Sequence, residues 1–241
     1  MNIRRSNISV LAMRKEPSHR SEMVSQILFG DEVRFHEQNQ DWALISTLHD
    51  SYCAWIESKH FEQFDTNLDR EVIVCNTLIQ GKASNRSLHI PFGSYSTILS
   101  FFDREDYMNL EAKIEISQLF LLFERIMMDV PYLWGGRTVF GVDCSGLSQL
   151  FYRFLGIDLM RDASLQISQG VEIDFEERRI GDLIFFQNDQ NKISHVGILR
   201  NKQTILHSSG EVRIDQLDAK GIFRSDMNIH THRMHSIRRI L

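Results

Sequence analysis

The stretch 131–147, PYLWGGRTVFGVDCSGL, combines residue types that can build a nucleophilic site. Apolar residues recur every three or four positions after Cys144, which places this cysteine in the first turn of an amphipathic helix. The unpaired backbone N–H groups and the dipole at a helix N-terminus stabilise a thiolate and can hold an oxyanion. Asp143 is placed to cap the helix, and Gly135, Gly136 and Gly141 allow the backbone to fold closely around the thiol.

A nucleophilic thiol needs a base and a group that orients the base. His195 begins the apolar run HVGIL, and His207 lies in the following run ILHSSG. A turn at 201–203 would make these runs neighbouring antiparallel strands, with the two histidines side by side. The chain order of cysteine, histidine and polar residue is the papain-like order.

Other interpretations of these residue types compete with catalysis. A lone cysteine on an apolar helix face is more often a packing residue, although packing rarely requires the flanking Asp143, Ser145 and glycines. His230, His232 and His235 are spaced like metal ligands, but no cysteine or acid nearby completes a zinc pattern, so no metal is expected. The remaining cysteines, 53 and 75, are interpreted as small buried hydrophobic residues.

Composition limits the classes of protein that this chain can be. Of its 241 residues 42% are hydrophobic and 24% are charged, which is enough apolar material for a globular core. The net charge of −5 gives no reason to expect nucleic acid or a membrane as a partner. Three cysteines without CxxC spacing favour reduced thiols. Because no signal sequence is recognisable, a cytoplasmic location is expected.

The elements that must position these residues change in character near residue 110. Before that point, short runs with turns between them predict small β units: 27–29, 33–35, 42–45 and 52–56, then 71–79, 87–90 and 96–102. Helical spacing over 110–128 follows, ended by Pro131. Gly156 is the predicted C-terminal cap of the helix that starts at Cys144. Strands at 183–186, 195–199 and 204–207 complete an α+β layout.

The segments YLWGG, GVDCSGL, GDLIFF, ISHVGIL and ILHSSG, in this order, resemble the signatures of NlpC-type peptidases, papain-like cysteine enzymes that act on bacterial cell-wall peptides. The likeness runs over about 115–215. It implies that Cys144 is the nucleophile, His195 the base and His207 the orienting residue. It also implies that the Tyr132 hydroxyl lies near the oxyanion site, where a phenol can donate a second hydrogen bond. No cofactor is implied.

The N-terminal half resembles bacterial SH3 domains, on the segments VSQILFGDEV, DWALI and SYCAWI, and a weaker likeness, with LHIPFGS, covers 68–105. The domain organisation expected from this is an SH3 domain at 1–64, a second and incomplete SH3-like unit at 65–108, and the peptidase domain at 109–241.

This order of domains is similar to that of the branch of the NlpC-type family that cleaves γ-D-glutamyl-diamino acid bonds in free murein peptides. There an SH3 wall closes the cleft, so that only a short substrate with a free N-terminal L-Ala fits. By resemblance Asp162, in RDASLQ, is the amine-binding aspartate. The family often has serine where this chain has Ala163, and Ser164 is the candidate replacement. Ser145 with Asp143 would help to hold the D-Glu part, and Tyr52 is the tyrosine contributed by the SH3 part.

The expected function is thus hydrolysis of the bond between γ-D-Glu and diaminopimelate or lysine in L-Ala-γ-D-Glu peptides during cell-wall recycling. One alternative keeps this chemistry but directs it at intact peptidoglycan outside the cell. Another is a wall-peptide binding module without catalysis. The sequence leaves the preferred diamino acid and the oligomeric state open.

Overall fold

The computed structural model describes residues 3–65, 71–83, 86–97, 103 and 105–241. The chain forms two compact units. Unit 1 contains Met1–Lys113 with two later segments, Trp134–Val139 and Arg153–Asp158. Unit 2 contains Ile114–Leu133, Phe140–Tyr152 and Leu159–Leu241. The chain therefore leaves its C-terminal half twice to complete unit 1, which sequence patterns did not indicate.

The first part of unit 1 is a seven-stranded antiparallel sheet with the strand order β3-β2-β6-β5-β4-β1-β7. A buried apolar cluster that includes Met13, Ile27, Val33 and Ile45 fills it, because alternate residues of each short strand point to the same side. A 3₁₀-helix, Ser58–Gln63, precedes the last strand. The strands are β1 (Ile3–Ser6), β2 (Val10–Arg14), β3 (Met23–Leu28), β4 (Glu32–Asn39), β5 (Trp42–Thr47), β6 (Cys53–Glu57) and β7 (Phe64–Asp65).

The second part of unit 1 consists of shorter strands in two small sheets, with the orders β10-β9 and β11-β8-β12. Phe29 joins Val74, Ile79 and Ile90 in a common apolar cluster. Of the predicted strand at 96–102, residues 98–102 lie outside the described part of the chain. Whether 65–108 forms a domain by itself stays a prediction. The strands are β8 (Val72–Val74), β9 (Leu78–Ala83), β10 (Arg86–Pro91), β11 (Tyr95–Ser96), β12 (Tyr107–Asn109) and, in the returning segment, β13 (Arg137–Thr138).

One buried carboxylate joins the returning segments to the rest of unit 1. Asp31 is 1% exposed, and its carboxylate oxygens lie 3.3 Å from Nη1 of Arg137 and 2.8 Å from Nη1 of Arg153. It also accepts a hydrogen bond from the backbone N–H of Leu28 at 3.0 Å. Burial alone would raise the pKa of Asp31, but the two guanidinium groups outweigh burial and lower this pKa far below 3.8.

Unit 2 combines three helices with a seven-stranded antiparallel sheet of order β15-β21-β16-β17-β18-β19-β20. Strand β20 also pairs with β21, so that six of the strands close on themselves around an apolar interior that includes Ile184, Phe186 and Ile205. A 3₁₀-helix spans Phe175–Glu177. The elements are α1 (Ile116–Met127), β14 (Gly141–Val142), α2 (Cys144–Arg153), α3 (Ala163–Gln166), β15 (Val171–Ile173), β16 (Leu183–Gln187), β17 (Ile193–Asn201), β18 (Thr204–Ser209), β19 (Glu211–Asp218), β20 (Gly221–Arg224) and β21 (Ile229–Arg239).

The α+β layout predicted from sequence is confirmed, with differences at element ends. Helix α1 begins at Ile116 rather than near 110, because residues 107–109 pair with β8 and a turn at 109–112 follows them. Its end at Met127 lies ahead of Pro131, and Asp129 adopts a left-handed φ of 62°. Gly156 has a φ of +71°, as expected of a cap after α2. Strands β19 to β21 were not predicted.

Helices α1 and α2 pack through aromatic side chains in unit 2. The ring of Phe151, in α2, lies 4.7 Å from that of Phe120 and 5.0 Å from that of Phe123, centroid to centroid. All three side chains are nearly fully buried. Such packing fixes the axis of α2 and hence the direction of its N-terminus. Among the described residues, no helix is long and apolar enough to cross a membrane.

The arrangement around Asp31 predicts a large loss of stability on its neutralisation. Asp31→Asn leaves two buried arginines without their counter-charge, and we expect the free energy of unfolding to fall by about 3–5 kcal/mol. Because the pKa of Asp31 is lowered from 3.8, its ionised form stabilises the fold above about pH 4, and this contribution is lost as the pH falls further. The variant should therefore also lose stability less steeply below pH 4.

Urea unfolding followed by tryptophan fluorescence at several pH values measures both effects. Glu57→Gln is the matched control, since Glu57 pairs with the exposed Lys59 at the surface and should contribute less than about 1 kcal/mol. Equal unfolding midpoints for the two variants would contradict the prediction.

Candidate active site

Cys144 is the first residue of α2, as predicted, and is 7% exposed. The carboxylate of Asp143 accepts a hydrogen bond from the backbone N–H of Gly146 at 2.7 Å, which caps the helix. The backbone N–H groups of Val196 and Ser145 donate toward the sulfur of Cys144. Since Val196 follows His195 in β17, the nucleophile lies against the strand that carries the predicted base.

The resting thiol is protonated, which differs from the expected stabilisation of a thiolate. Burial, and secondly the charge of Asp143, raise the pKa of Cys144 to about 12. The N–H groups of Val196 and Ser145 and the Arg161 guanidinium oppose this shift without cancelling it. Burial therefore outweighs the helix terminus here, and the thiol must lose its proton during the reaction.

His195 and His207 lie side by side on neighbouring antiparallel strands, as predicted. Residue 197 of β17 pairs with His207 of β18, and His195, two residues away, points to the same face of the sheet. Nε2 of His195 lies 2.9 Å from Nδ1 of His207. Burial, then the neighbouring rings of His207 and His232, lower the pKa of His195 well below 6.5. The base is thus a neutral imidazole able to accept a proton.

A carboxylate continues this hydrogen-bonded row. Nε2 of His207 lies 3.0 Å from Oδ2 of Asp215, in β19. Arg213 donates two hydrogen bonds to the same carboxylate, from Nε at 2.7 Å and from Nη2 at 2.9 Å. Sequence reasoning missed both residues. The available signal was the position of Asp215 two residues before Leu217 in the run EVRIDQLD, which in a strand places an acid on the same face as an apolar residue.

His232 covers one side of the base. Its ring lies 4.3 Å from that of His195, centroid to centroid, at an angle of 31°. Burial, then the neighbouring His207, lower the pKa of His232 to about 4. His232 is one of three histidines whose spacing in the sequence is like that of metal ligands. The other two have separate contacts, since His230 binds Asp218 and His235 binds Ser236. In the described ranges, no group of three or more His, Cys, Asp and Glu side chains is arranged to hold a metal ion.

Tyr132 lies beside the nucleophile, as predicted. Its backbone N–H donates to the carbonyl of Gly210 at 2.8 Å, and residue 132 forms a parallel bridge with Val142, two residues before Cys144. Burial, then the neighbouring Cys144 and the carboxylate of Asp143, raise the pKa of Tyr132 above 10. The phenol therefore keeps its proton and can donate a hydrogen bond next to the sulfur.

Arg161 organises the polar side of the nucleophile and was not singled out from sequence. It is 1% exposed and forms an ion pair with Asp143, with Nη2 2.5 Å from Oδ2. Its Nη1 also donates to the Ser145 hydroxyl at 2.8 Å, and this hydroxyl lies 3.2 Å from Oδ1 of Asp143. Asp143 and Ser145, predicted to contact substrate, are thus already joined in an internal network. The available signal was the arginine directly before Asp162.

The two residues predicted to read the substrate amine open α3 in unit 2. The backbone carbonyl of Asp162 accepts hydrogen bonds from the N–H groups of Leu165 and Gln166, which starts this one-turn helix. The Asp162 side chain makes no cap hydrogen bond, and the residue is partly buried, whereas Ser164 is exposed. Their roles in binding stay predictions.

Tyr52 belongs to unit 1, where its side chain packs partly buried against the apolar cluster of the first sheet. Its proposed contact with substrate stays a prediction. The interpretation of the two other cysteines as buried is wrong. Cys53 is exposed at the start of β6, after a turn, and Cys75 is half-buried directly after β8, where a bend follows it.

The glycines of the 131–147 stretch permit close approaches, although to other partners than the thiol. Gly135 has a φ of +78°, and a Cβ there would lie 2.5 Å from the backbone oxygen of Met23 within unit 1. A Cβ at Gly141 would lie 2.6 Å from the side chain of Leu133. Close approach of Gly135, Gly136 and Gly141 to the thiol itself stays a prediction.

Together these residues can perform acyl transfer. The site offers a thiol at a helix N-terminus, a neutral imidazole on the adjacent strand, and a phenol and backbone N–H groups that can stabilise negative charge. This constellation suits attack on a carbonyl carbon and hydrolysis of the resulting thioester.

Comparison with known proteins agrees with this chemistry. Residues 129–231 match the NlpC/P60 family, and residues 13–61 match the bacterial dipeptidyl-peptidase Sh3 domain. The first match contains the helix of Cys144 and both histidines of the pair. The second covers β3 to β6 of unit 1.

Three curated relatives are similar to the chain. A gamma-D-glutamyl-L-lysine dipeptidyl-peptidase of Bacillus cereus is 38% identical over a segment that covers 35% of this chain and 26% of that protein's length. Dipeptidyl-peptidase 6 of Lysinibacillus sphaericus is 25% identical over 88% of this chain and 91% of its own length. A probable endopeptidase of Haemophilus influenzae is 34% identical over 46% of this chain and 73% of its own length.

The fold has a solved counterpart. The crystal structure of an NlpC/P60 family protein from Bacillus cereus superposes with a TM-score of 0.83 over 100% of both chains, at 19% identity. The site geometry, the family match over the peptidase signatures and these relatives lead to one conclusion: the chain belongs to the NlpC/P60 family and is a cysteine peptidase with an N-terminal bacterial SH3 domain.

Proposed function

We propose that this peptidase hydrolyses the bond between γ-D-glutamate and the diamino acid in peptides that begin with L-Ala-γ-D-Glu. The observation that carries the proposal is the contact of Cys144 with the strand of His195, itself hydrogen-bonded to His207. The names of the Bacillus cereus and Lysinibacillus sphaericus relatives support the γ-D-glutamyl and dipeptidyl parts. So does the match of residues 13–61 to the bacterial dipeptidyl-peptidase Sh3 domain.

The first half of the reaction forms a thioester. The sulfur of Cys144 attacks the γ-carbonyl carbon of D-Glu while its proton passes to the imidazole of His195. The carbonyl oxygen becomes an oxyanion, which the N–H groups at the start of α2 and the hydroxyl of Tyr132 stabilise. Collapse of this intermediate expels the amine of the diamino acid, which takes the proton from His195.

The second half returns the enzyme to its resting state. His195, neutral again, removes a proton from a water molecule that attacks the thioester carbon. The oxyanion forms at the same place, and as it collapses the imidazolium of His195 returns its proton to the sulfur, which releases the γ-carboxyl product and the Cys144 thiol. Each half therefore uses the imidazole once as a base and once as an acid.

Recognition of the substrate's N-terminal end is assigned to Asp162. Asp162 directly precedes α3, and α3 packs against β17, the strand that contains His195. A carboxylate there suits the ammonium group of L-Ala, with Ser164 and Tyr52 as further candidate contacts. Ser145 would reach the D-Glu carboxylate by turning its hydroxyl away from Asp143, with Arg161 nearby to offset the added negative charge.

We further propose that the substrates are free murein peptides and that the enzyme acts in the cytoplasm during cell-wall recycling. A required free amine limits the substrate to short peptides. Three free cysteines, of which Cys53 is exposed, suit a reducing compartment. Cleavage of cross-linked peptidoglycan at a rate similar to that of the free tripeptide would contradict this part of the proposal.

Replacement of the nucleophile tests the reaction itself. With L-Ala-γ-D-Glu-diaminopimelate as substrate, Cys144→Ala should lower kcat by at least about 10³-fold, because no other group can form the thioester. Mass spectrometry of the products should show L-Ala-D-Glu and the free diamino acid with the unmodified enzyme. Cys53→Ala is the matched control and should retain full activity. Equal turnover by the Cys144→Ala and Cys53→Ala variants would disprove the assignment.

Neutralisation of the proposed amine-binding residue tests substrate recognition. Asp162→Asn should raise KM for the free tripeptide about tenfold through loss of a charge-assisted contact, with a smaller effect on kcat. The same substitution should leave the weak turnover of the N-acetylated tripeptide unchanged, since that substrate has no ammonium group. Asp174→Asn, which neutralises an exposed carboxylate directly before the 3₁₀-helix Phe175–Glu177, is the control. Steady-state kinetics that show equal KM increases for both substrates would contradict the prediction.

A further inference from the structure

We propose that Asp215 is a positioning residue that fixes the tautomers of His207 and His195, so that Nδ1 of His195 is free to accept the Cys144 proton. The inference rests on the assignment of Cys144 and His195 as nucleophile and base, and it does not depend on which peptide is cleaved. It adds a fourth member to the row of catalytic groups.

The strand register brings Asp215 to His207. In the pairing of β18 with β19, residue 205 lies opposite Asp215 and His207 lies opposite Arg213. Asp215 is therefore the diagonal neighbour of His207 on the same face of the sheet. Oδ2 of Asp215 lies 3.0 Å from Nε2 of His207, and the two side chains are 6% and 0% exposed.

Asp215 is held in the ionised form, which can only accept hydrogen bonds. Burial by itself would raise its pKa, but the hydrogen bonds from His207 and from Arg213 outweigh burial and bring the pKa to about 2. A carboxylate has no proton to donate. The hydrogen between Asp215 and His207 must therefore reside on Nε2 of His207.

The tautomer of His207 determines that of His195. Burial lowers the pKa of His207, against the opposing effect of Asp215, so its ring is neutral and carries one hydrogen. With that hydrogen on Nε2, Nδ1 of His207 is an acceptor. The 2.9 Å contact then requires Nε2 of His195 to be the donor. Nδ1 of His195 is left with its lone pair.

Proton transfer from the thiol needs no rearrangement of this row. The S–H bond of Cys144 breaks, and an N–H bond forms at Nδ1 of His195, which gives a thiolate and an imidazolium. Nε2 of His195 continues to donate to His207, and Nε2 of His207 continues to donate to Asp215. The negative charge of Asp215 is thus separated from the new positive charge on His195 only by the neutral ring of His207, and it stabilises that positive charge.

The other titratable groups near the row lie on β19, β20 and β21 or directly after β20. Arg213 binds the Asp215 carboxylate from within β19, and Arg224 at the end of β20 acts on both His207 and Asp215. The neutral ring of His232 lies against His195 from β21. Asp226, exposed after β20, pairs with Arg224 and lies 3.6 Å from Arg213. Asp226 therefore shares Arg213 and Arg224 with Asp215, but it accepts hydrogen bonds from Arg224 rather than from a histidine.

This difference supplies a matched pair of variants. Asp215→Asn removes the charge and offers His207 an amide that can donate, which permits the reversed row in which His195 carries its hydrogen on Nδ1. Asp226→Asn removes one negative charge from the same arginine cluster and leaves the row intact. Both are made with Cys53→Ser and Cys75→Ser, so that alkylation reports on Cys144 alone.

The experiment measures the rate constant for alkylation of Cys144 by iodoacetamide between pH 5 and 10. For Asp215→Asn we expect a rate at pH 7 at least about tenfold below that of the parent, and a profile moved to higher pH, because the base can no longer take the proton. On a cleavable γ-D-glutamyl peptide, kcat should fall about 10- to 100-fold with KM nearly unchanged. Asp226→Asn should behave like the parent in both assays.

A second measurement needs no variant of Asp215. Imidazole nitrogen shifts of the ¹⁵N-histidine-labelled parent protein, with His195 and His207 assigned by single replacement, report which nitrogen of each ring carries hydrogen. The expected result is Nε2–H for both. Nδ1–H at His207 would overturn the inference, as would superimposable alkylation profiles for Asp215→Asn and Asp226→Asn. Neither alkylation nor the shifts involve a peptide, so a wrong substrate assignment would leave these results unaffected.

Discussion

The ion pair of Asp143 with Arg161 is the interaction on which the active site depends. One carboxylate caps α2 through the N–H of Gly146, contacts the Ser145 hydroxyl and binds the guanidinium of a separate loop. The start of the helix, the orientation of Ser145 and the position of the loop before α3 are therefore set together. Because every member is nearly fully buried, loss of one would leave the others without partners in a region that water hardly reaches.

This arrangement has an electrostatic consequence for the nucleophile. A carboxylate next to a buried thiol disfavours the thiolate, and it contributes to the raised pKa of Cys144. Arg161 offsets part of that effect. The base is correspondingly neutral, since burial and neighbouring rings lower the pKa of His195. The resting pair is thus uncharged on both sides, and the charges appear when the proton moves.

One buried carboxylate between two arginines organises unit 1. Asp31 joins Arg137 and Arg153, two residues that lie 16 positions apart on either side of the nucleophile in sequence. Arg137 is further held by Gln26, whose side-chain oxygen accepts from the Arg137 backbone N–H at 2.7 Å. The segments that the chain contributes to unit 1 from its C-terminal half are therefore fixed by charge as well as by apolar packing.

Local sequence patterns were sufficient for the parts of the site that belong to one element. The helix that begins at Cys144 has its cap and its apolar face within a dozen residues, and the two histidines lie on a hairpin with a short turn. The pattern also predicted the α+β order of elements and four strands of the first sheet, β3 to β6, but not β1, β2 or β7. In each case the determining contacts are near in sequence, so propensity and periodicity reflect them.

The parts that were missed depend on pairings between distant segments. Arg161 reaches Asp143 across 18 residues, and Asp31 meets Arg137 across 106. His232 contacts His195 because β20 and β21 close the sheet. The exposure of Cys53 follows from its place at the edge of a turn. A charged residue in a strand has the same local pattern whether it faces solvent or a histidine, and only the register distinguishes these cases.

Because Cys144 and His195 are uncharged at rest, the row of His195, His207 and Asp215 can stabilise the transition state more than the resting enzyme. A charge that stabilised the imidazolium in the resting state would lower the energy of reactant and transition state alike, and it would not accelerate the reaction. Here His195 is neutral until the Cys144 proton arrives, so the carboxylate at the end of the row acts on a positive charge that forms only during attack. Burial raises the cost of separating charge at Cys144 and His195, and the fixed carboxylate reduces that cost at the step that determines the rate of thiol attack.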